Sequence, residues 1–280
     1  MKSPANTQKS LYSITKATII HQVGRVPFLG ATLRWFARRY PEGSIVTIKS
    51  GYLAGYKWMR SHRDVNAYWV GDYELPIQKC LIRDLKPGDV FYDIGANAGF
   101  FSLLGSKCVG PQGHVFAFEP LPENIETLKS NLDLNEIKNC TVVEAAVCDS
   151  VGTVGFCQGP HTSMAYIKRQ GNDGQKSMLV KALTLDEFAK TERPPNLIKM
   201  DVEGAEILAL RGASALLKSA TPPRFLIELH GDTVAAQARE ILEKSGYWLY
   251  TLDLIGIGSN SMPRHILAYP GNAFGDRANT

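Results

Sequence analysis

From about residue 89 the apolar positions alternate between two periods, and each change of period marks an element. Short apolar runs of strand length are followed by stretches with helical spacing. Val90–Ile94 reads as a strand ending in glycine, Ala98–Cys108 as a helix, and His114–Phe118 as a strand ending at Glu119. Pro122–Leu134 reads as a helix with proline in its first turn, where a missing N–H costs nothing. Thr141–Val147 is the next strand. Val151–Phe156, Met164–Ile167 and Met178–Ala182 look like an inserted antiparallel section. The alternation then resumes with strand Leu197–Asp201, helix Gly204–Lys218, strand Arg224–Leu229 and helix Thr233–Ser245. Tyr247–Leu252 and His265–Tyr269 are the final strands. Strands alternating with helices predict an α/β domain with a parallel sheet and right-handed crossovers.

The first 70 residues follow another pattern. Residues 1–10 are polar, Leu11–Gln22 and Leu29–Tyr40 have helical character, and Pro41-Glu42-Gly43 stops the second. Ile45–Lys49 and Tyr52–Trp58 predict a hairpin around Ser50-Gly51. Trp35, Trp58 and Trp69 all fall here. Residues 1–70 therefore read as a cap of helices and a β-hairpin, and residues 71–280 as the main domain. The aromatics of the cap suit packing, or one wall of a substrate pocket.

Charge sharpens this division. Residues 1–63 carry eleven Lys/Arg against Glu42, a net of +10, which leaves −6 for the rest of a chain whose total is +4. A basic segment suits a solvated face, an anionic substrate, nucleic acid or a membrane surface; peripheral contact through Leu29–Tyr40 is one form of the last. No recognisable nucleic-acid motif lies in it, and the rest of the chain is acidic, so no nucleic acid is expected as partner. No apolar run approaches a membrane span of about 18 residues. Five cysteines without a CxxC pair fit reduced thiols, and with no apparent signal peptide the chain reads as cytoplasmic.

The chemistry gathers at strand ends. Asp93-Ile94-Gly95-Ala96-Asn97-Ala98-Gly99 lies where a strand passes into a helix, the place where open α/β sheets bind ligands. Gly95 and Gly99 allow a ligand close to the backbone. Glu119, twenty residues after Gly99, can accept hydrogen bonds from both hydroxyls of a ribose. A nicotinamide dinucleotide would want G-x-G-x-x-G to cradle its pyrophosphate, but the loop reads G-x-N-x-G, and no Lys or Arg lies between Tyr92 and Ser106. S-adenosylmethionine carries a sulfonium and no phosphate, and Asp93, Glu119 and Asp149 supply acidic surroundings. Asp149 is read either as an adenine contact or as a turn residue.

A second cluster follows the later strands. Lys199 and Asp201 share one strand face, and Glu203 and Glu206 come next. Glu228 and His230 share a face at the end of the neighbouring strand. Such crowding of acids is expected where a cation or a proton is handled. His230 is read as the general base, because imidazole titrates near neutrality. Asp201, Glu203 and Glu228 are read as positioning a substrate hydroxyl; a divalent ion such as magnesium is the alternative, with no residue assigned to it. Glu206 is read as N-terminal charge on a helix.

Four stretches together resemble the FkbM-type methyltransferases: Val90-Phe-Tyr-Asp-Ile-Gly-Ala-Asn-Ala-Gly-Phe-Phe-Ser102, Phe116-Ala-Phe-Glu-Pro120, Leu197-Ile-Lys-Met-Asp-Val-Glu-Gly-Ala-Glu206 and Ile227-Glu-Leu-His230. The resemblance runs from about residue 70, where Gly71-Asp-Tyr-Glu74 also fits, to about 250. It implies a Rossmann-like class I fold with a seven-stranded, mostly parallel sheet whose last strand is antiparallel. It implies S-adenosylmethionine as cofactor and O-methylation of a natural product or sugar-type small molecule. Carried over by position, Asp93, Gly95 and Asn97 would line the methionine end of the cofactor, Glu119 the ribose, and Asp201 to Glu203 with His230 the reacting region. A methyltransferase of nucleic acid or protein is the alternative, kept open by the basic segment. An oxidoreductase using nicotinamide and a non-catalytic binding protein fit the motifs less well.

Overall fold

The computed structural model describes residues 41, 43–61, 67–158, 165–168, 178–258 and 262–271. The helices expected at residues 11–22 and 29–40, with most of the basic segment, lie outside them. Two compact units are present: one comprises the described residues through Lys79 together with Ser130–Ile137, and the other Cys80–Lys129 with the described residues from Lys138 onward.

In the first unit β1 (Ile45–Thr47) pairs antiparallel with β2 (Lys57–Met59), Thr47 opposite Lys57. The hairpin is therefore real, but Ser50-Gly51 is not its tip. Pairing continues beyond the strands, with the Ile48 N–H donating to the Tyr56 carbonyl and the Gly55 N–H to the Ile48 carbonyl. Residues 51–55 form the turn, and Leu53 folds inward, fully buried. Trp58 is also fully buried and meets Tyr68 at 5.0 Å between ring centroids. The free edge of β2 is closed by side chains, since the Met59 N–H donates to Asn131 and the Lys57 N–H to Asn135.

The second unit is built on a seven-stranded sheet. Its strands are β3 (Val90–Ile94), β4 (His114–Phe118), β5 (Cys140–Val143), β10 (Leu197–Met200), β11 (Arg224–Glu228), β12 (Tyr247–Tyr250) and β13 (His265–Pro270). Their order is β12-β13-β11-β10-β3-β4-β5. Only β13 runs against its neighbours, pairing antiparallel with both β11 and β12. Every residue of β3 and β10 is buried, as a parallel strand covered on both faces requires. Helix Phe100–Val109 packs closely on β3: a Cβ at Gly105 would lie 2.4 Å from Cδ1 of Phe91, a fully buried ring. Alanine is favoured over glycine in a helix by up to about 1 kcal/mol. Overpacking against an immobile ring costs about 1–3 kcal/mol. Gly105→Ala is therefore expected to lower the urea midpoint despite the propensity gain, and an unchanged midpoint would mean that the ring yields.

The second unit differs from the sequence expectation in several places. Thr141–Val147 splits, because the chain turns at Glu144 and Ala145; β6 (Ala146–Val147) leaves the main sheet and pairs with β9 (Met178–Leu183). β9 also pairs with β7 (Gly152–Gln158), which pairs with β8 (Ala165–Lys168), giving the inserted antiparallel section as a four-stranded sheet. The expected helix over 204–218 is only Glu206–Arg211 plus a 3₁₀ turn, Leu216–Lys218. Gly212 lies so close to the Cys148 carbonyl that a Cβ there would sit 2.0 Å from its oxygen, and Asp186 takes the N–H groups of Ala215 and Leu216. A helix not foreseen, Leu185–Thr191, is capped by Thr184, whose hydroxyl accepts from the Glu187 N–H.

The strand register positions the chemistry. Ile94, Phe118, Val143, Met200 and Ile227 form one row across β4, β5, β3, β10 and β11. Gly95, Glu119 and Asp201, which follow their strands, and Glu228, the last residue of β11, therefore lie along a single edge.

Candidate active site

The glycine loop is pinned at both glycines. Gly95 has φ 80°, and a Cβ on it would lie 1.9 Å from the Asp201 carbonyl oxygen, so the loop after β3 touches the turn after β10. Asn97 and Gly99 also have positive φ, which delays the helix to Phe100. Glu119 is buried and holds the loop: its Oε2 accepts from the Asn97 N–H at 2.9 Å and its Oε1 from the Leu121 N–H at 2.9 Å. Burial pushes its carboxyl up to about 7, against the pull of those N–H groups.

Asp93 is fully buried beneath the loop. Its Oδ2 accepts from Ser102 Oγ at 2.6 Å, and its Oδ1 has no hydrogen-bond partner. The nearest charge is Lys199, whose Nζ is 3.7 Å from Asp93 Oδ1 and 3.7 Å from Asp201 Oδ2, over the ring of Phe101. Burial raises the Asp93 carboxyl and Lys199 partly offsets it. Asp149 sits in the turn after β6, its Oδ1 accepting from Ser150 Oγ at 3.4 Å.

At the neighbouring strand ends four carboxylates converge on one imidazole. His230 Nδ1 is 2.6 Å from Oε1 of Glu206, a fully buried side chain whose same oxygen accepts from the Gly204 N–H at 3.0 Å. His230 Nε2 is buried, 3.3 Å from Glu203 Oε2, 3.4 Å from Glu228 Oε1 and 4.0 Å from Asp201 Oδ1. None of these three approaches has the alignment of a hydrogen bond. Glu203 reaches the ring because its backbone is left-handed, φ 49°. Burial would raise Glu228, but the imidazoles of His230 and His265 and the Arg264 guanidinium hold it well below the usual carboxylate range. Burial pushes Glu203 up.

One sequence expectation changes in consequence. His230 reads as a base that titrates near neutrality, yet Glu206 first, and then Glu228, raise it to about 10, so the resting ring is an imidazolium. Asp201, Glu203 and His230 bring ligand atoms within 4.8 Å of one another. Three contributors were not foreseen. Glu206 looks in sequence like helix-terminal charge, and Arg264 and His265 come from the antiparallel strand; the signal for the latter is the pairing of Glu228 with His265.

A parallel sheet with one reversed strand, a glycine loop after β3 and an acid ending the neighbouring β4 define the class I methyltransferase fold. The chain belongs to the FkbM methyltransferase family, whose model, the methyltransferase FkbM domain, matches residues 93–249. It is 26% identical over 233 residues to the hexuronic acid methyltransferase AglP of Haloferax volcanii, covering 81% of this chain and 90% of that protein. It is 35% identical over 82 residues to the 31-O-demethyl-FK506 methyltransferase FkbM of Streptomyces tacrolimicus, 28% of this chain and 31% of that one. Among solved structures, the FkbM methyltransferase from Methylobacillus flagellatus superposes with a TM-score of 0.45 at 18% identity, over 68% of this chain and 50% of that chain. Among the described residues, no helix is long and apolar enough to cross a membrane.

Proposed function

We propose that this chain transfers a methyl group from S-adenosylmethionine to a hydroxyl oxygen of a small molecule, of natural-product or sugar type. The observation that carries the reading is the shared sheet edge, where the Gly95–Gly99 loop and Glu119 stand beside the cluster around His230. The similarity to a hexuronic acid methyltransferase supports a sugar-type acceptor.

The residues fit the cofactor. Asp93 has a buried oxygen without a hydrogen-bond partner, suited to a cationic amino group. Each Glu119 oxygen takes one backbone N–H, and a carboxylate oxygen has a further lone pair for a ribose hydroxyl. Gly95 keeps the loop backbone bare of side chain. When bound, S-adenosylmethionine supplies a methyl group on a sulfonium leaving group that departs neutral. The protein must hold the acceptor oxygen in line and take its proton as the O–C bond forms and the S–C bond breaks. His230 accepts that proton at Nε2 in its neutral form, which positive charge beside the cluster favours by loosening the ring's own proton. Asp201 and Glu203, both partly open to solvent, orient the hydroxyl.

Calorimetry on the purified protein tests the reading. Micromolar binding of S-adenosylmethionine, no binding of NAD, and loss of affinity by at least about tenfold in Glu119→Ala are expected; tenfold corresponds to about 1.4 kcal/mol. Ribose donors favour the ionised carboxylate, and burial pushes Glu119 up to about 7. Affinity should therefore weaken as pH falls below 7, by up to about tenfold per unit, and this slope should vanish in Glu119→Gln. Folded protein that binds no S-adenosylmethionine would sink the proposal.

A further inference from the structure

We propose that Glu206 is the positioning residue of the reaction site: by accepting a hydrogen bond from Nδ1–H of His230 it turns Nε2 toward Asp201, Glu203 and Glu228. A carboxylate only accepts hydrogen bonds, so a 2.6 Å contact to Oε1 places the proton on Nδ1. Glu206 is itself immobilised. It is fully buried, and the same oxygen accepts from the Gly204 N–H, in a turn forced by the left-handed backbone of Glu203 and Gly204. This explains a feature that a helix-terminal charge does not. An acid serving a helix dipole gains its few tenths of a kcal/mol at the solvent-exposed surface, whereas Glu206 is withdrawn from water and directed at one imidazole nitrogen. Its Oε2 is buried without a hydrogen-bond partner, a cost that a merely structural position would not retain.

The effect on His230 is distinct from that of the other acids. Asp201 and Glu203, from the turn after β10, and Glu228, at the end of β11, all face Nε2. Arg264 and His265, at the start of β13, meet the ring only through Glu228. Glu206 alone among these groups binds Nδ1. It therefore selects which nitrogen faces the acceptor, and it adds the largest single contribution to holding the ring protonated.

The test reads His230 itself and does not need the acceptor. Nitrogen-15 spectra of histidine-labelled wild type should show His230 protonated on Nδ1 at pH 7, and its titration should come close to pH 10. In Glu206→Gln, which keeps shape and removes charge, the titration should move toward the ordinary histidine value of 6.5. The activity arm rests on the methyl-transfer reading. There the plateau kcat at high pH should fall by about 100-fold, acceptor KM and S-adenosylmethionine affinity should stay within about twofold, and the rising limb of the pH profile, which the base sets, should move to lower pH. Adding Glu206→Gln to a His230→Asn background should cost nothing further, because a residue that acts through His230 has nothing left to act on. A wild-type ring carrying its proton on Nε2 alone, an unmoved titration in Glu206→Gln, or full additivity in the double variant would overturn the assignment. If S-adenosylmethionine fails to bind while the spectra behave as expected, the functional reading falls and the positioning role stands.

Discussion

His230→Asn is expected to lower kcat by about two to four orders of magnitude while leaving the affinity for S-adenosylmethionine within about twofold. The separation follows from the geometry. The cofactor loop is held by Glu119, Asp93 and the contact of Gly95 with the Asp201 carbonyl, and none of these bonds passes through the imidazole. The proton of the acceptor, in contrast, has its route at Nε2 and the carboxylates around it. The same variant should be less stable, since removing the ring leaves Glu206 charged, fully buried and without its imidazole partner. Loss of one partner of a buried ion pair costs about 3–5 kcal/mol. Single-turnover kinetics beside calorimetry and thermal melting would measure all three quantities. A kcat within tenfold of wild type would remove His230 from the proton route.

Lys199→Met should have the largest effect on stability, and the effect should grow with pH. Lys199 is 4% exposed, Asp93 is 0% exposed, and the lysine stands between Asp93 and Asp201. Methionine nearly matches the volume but leaves the buried carboxylate without its cation, a loss of about 3–5 kcal/mol if Asp93 stays ionised. Asp93 will instead take up a proton. Its carboxyl is already raised by burial, and losing Lys199 raises it further. A group whose folded value lies above its unfolded one gives stability that is present when it is protonated and lost as pH rises through the folded value. The melting temperatures of variant and wild type should therefore converge toward pH 5 and diverge toward pH 8. Curves that run parallel across this range would mean that Lys199 does not set the charge of Asp93.

Residue pattern and structure agree best where local signals are strong. Val90–Ile94, His114–Phe118 and Pro122–Leu134 have the expected bounds, because an unbroken apolar run and a first-turn proline act without distant help. The region after Asp201 did not follow its helical pattern. Its shape is imposed by the Cys148 carbonyl, just after β6, and by Asp186, 28 to 30 residues away from the groups it caps. The candidate site divides in the same way. Asp93, Gly95, Glu119, Asp201 and Glu228 were readable because each ends a strand or follows one, and a parallel sheet aligns such ends. The protonation state of His230 was not readable, since it depends on the convergence of Asp201, Glu203, Glu206 and Glu228 on one ring. Thr184-Leu185-Asp186-Glu187 was a legible helix start, with a capping threonine three residues ahead of a glutamate, and would have revealed the helix Leu185–Thr191.

The reversed strand β13 gives the site an unequal inheritance. The parallel strands deliver residues to the reactive edge as they end, just before a helix that the core must accommodate. β13 delivers Arg264 and His265 as it begins, straight from the loop that leads into it. The described part of that loop is itself tied down, the Ile257 N–H donating to the Leu249 carbonyl and Arg239 to the Gly258 carbonyl, so what Arg264 and His265 present to Glu228 depends on the fold of the loop as well as on the register of the sheet.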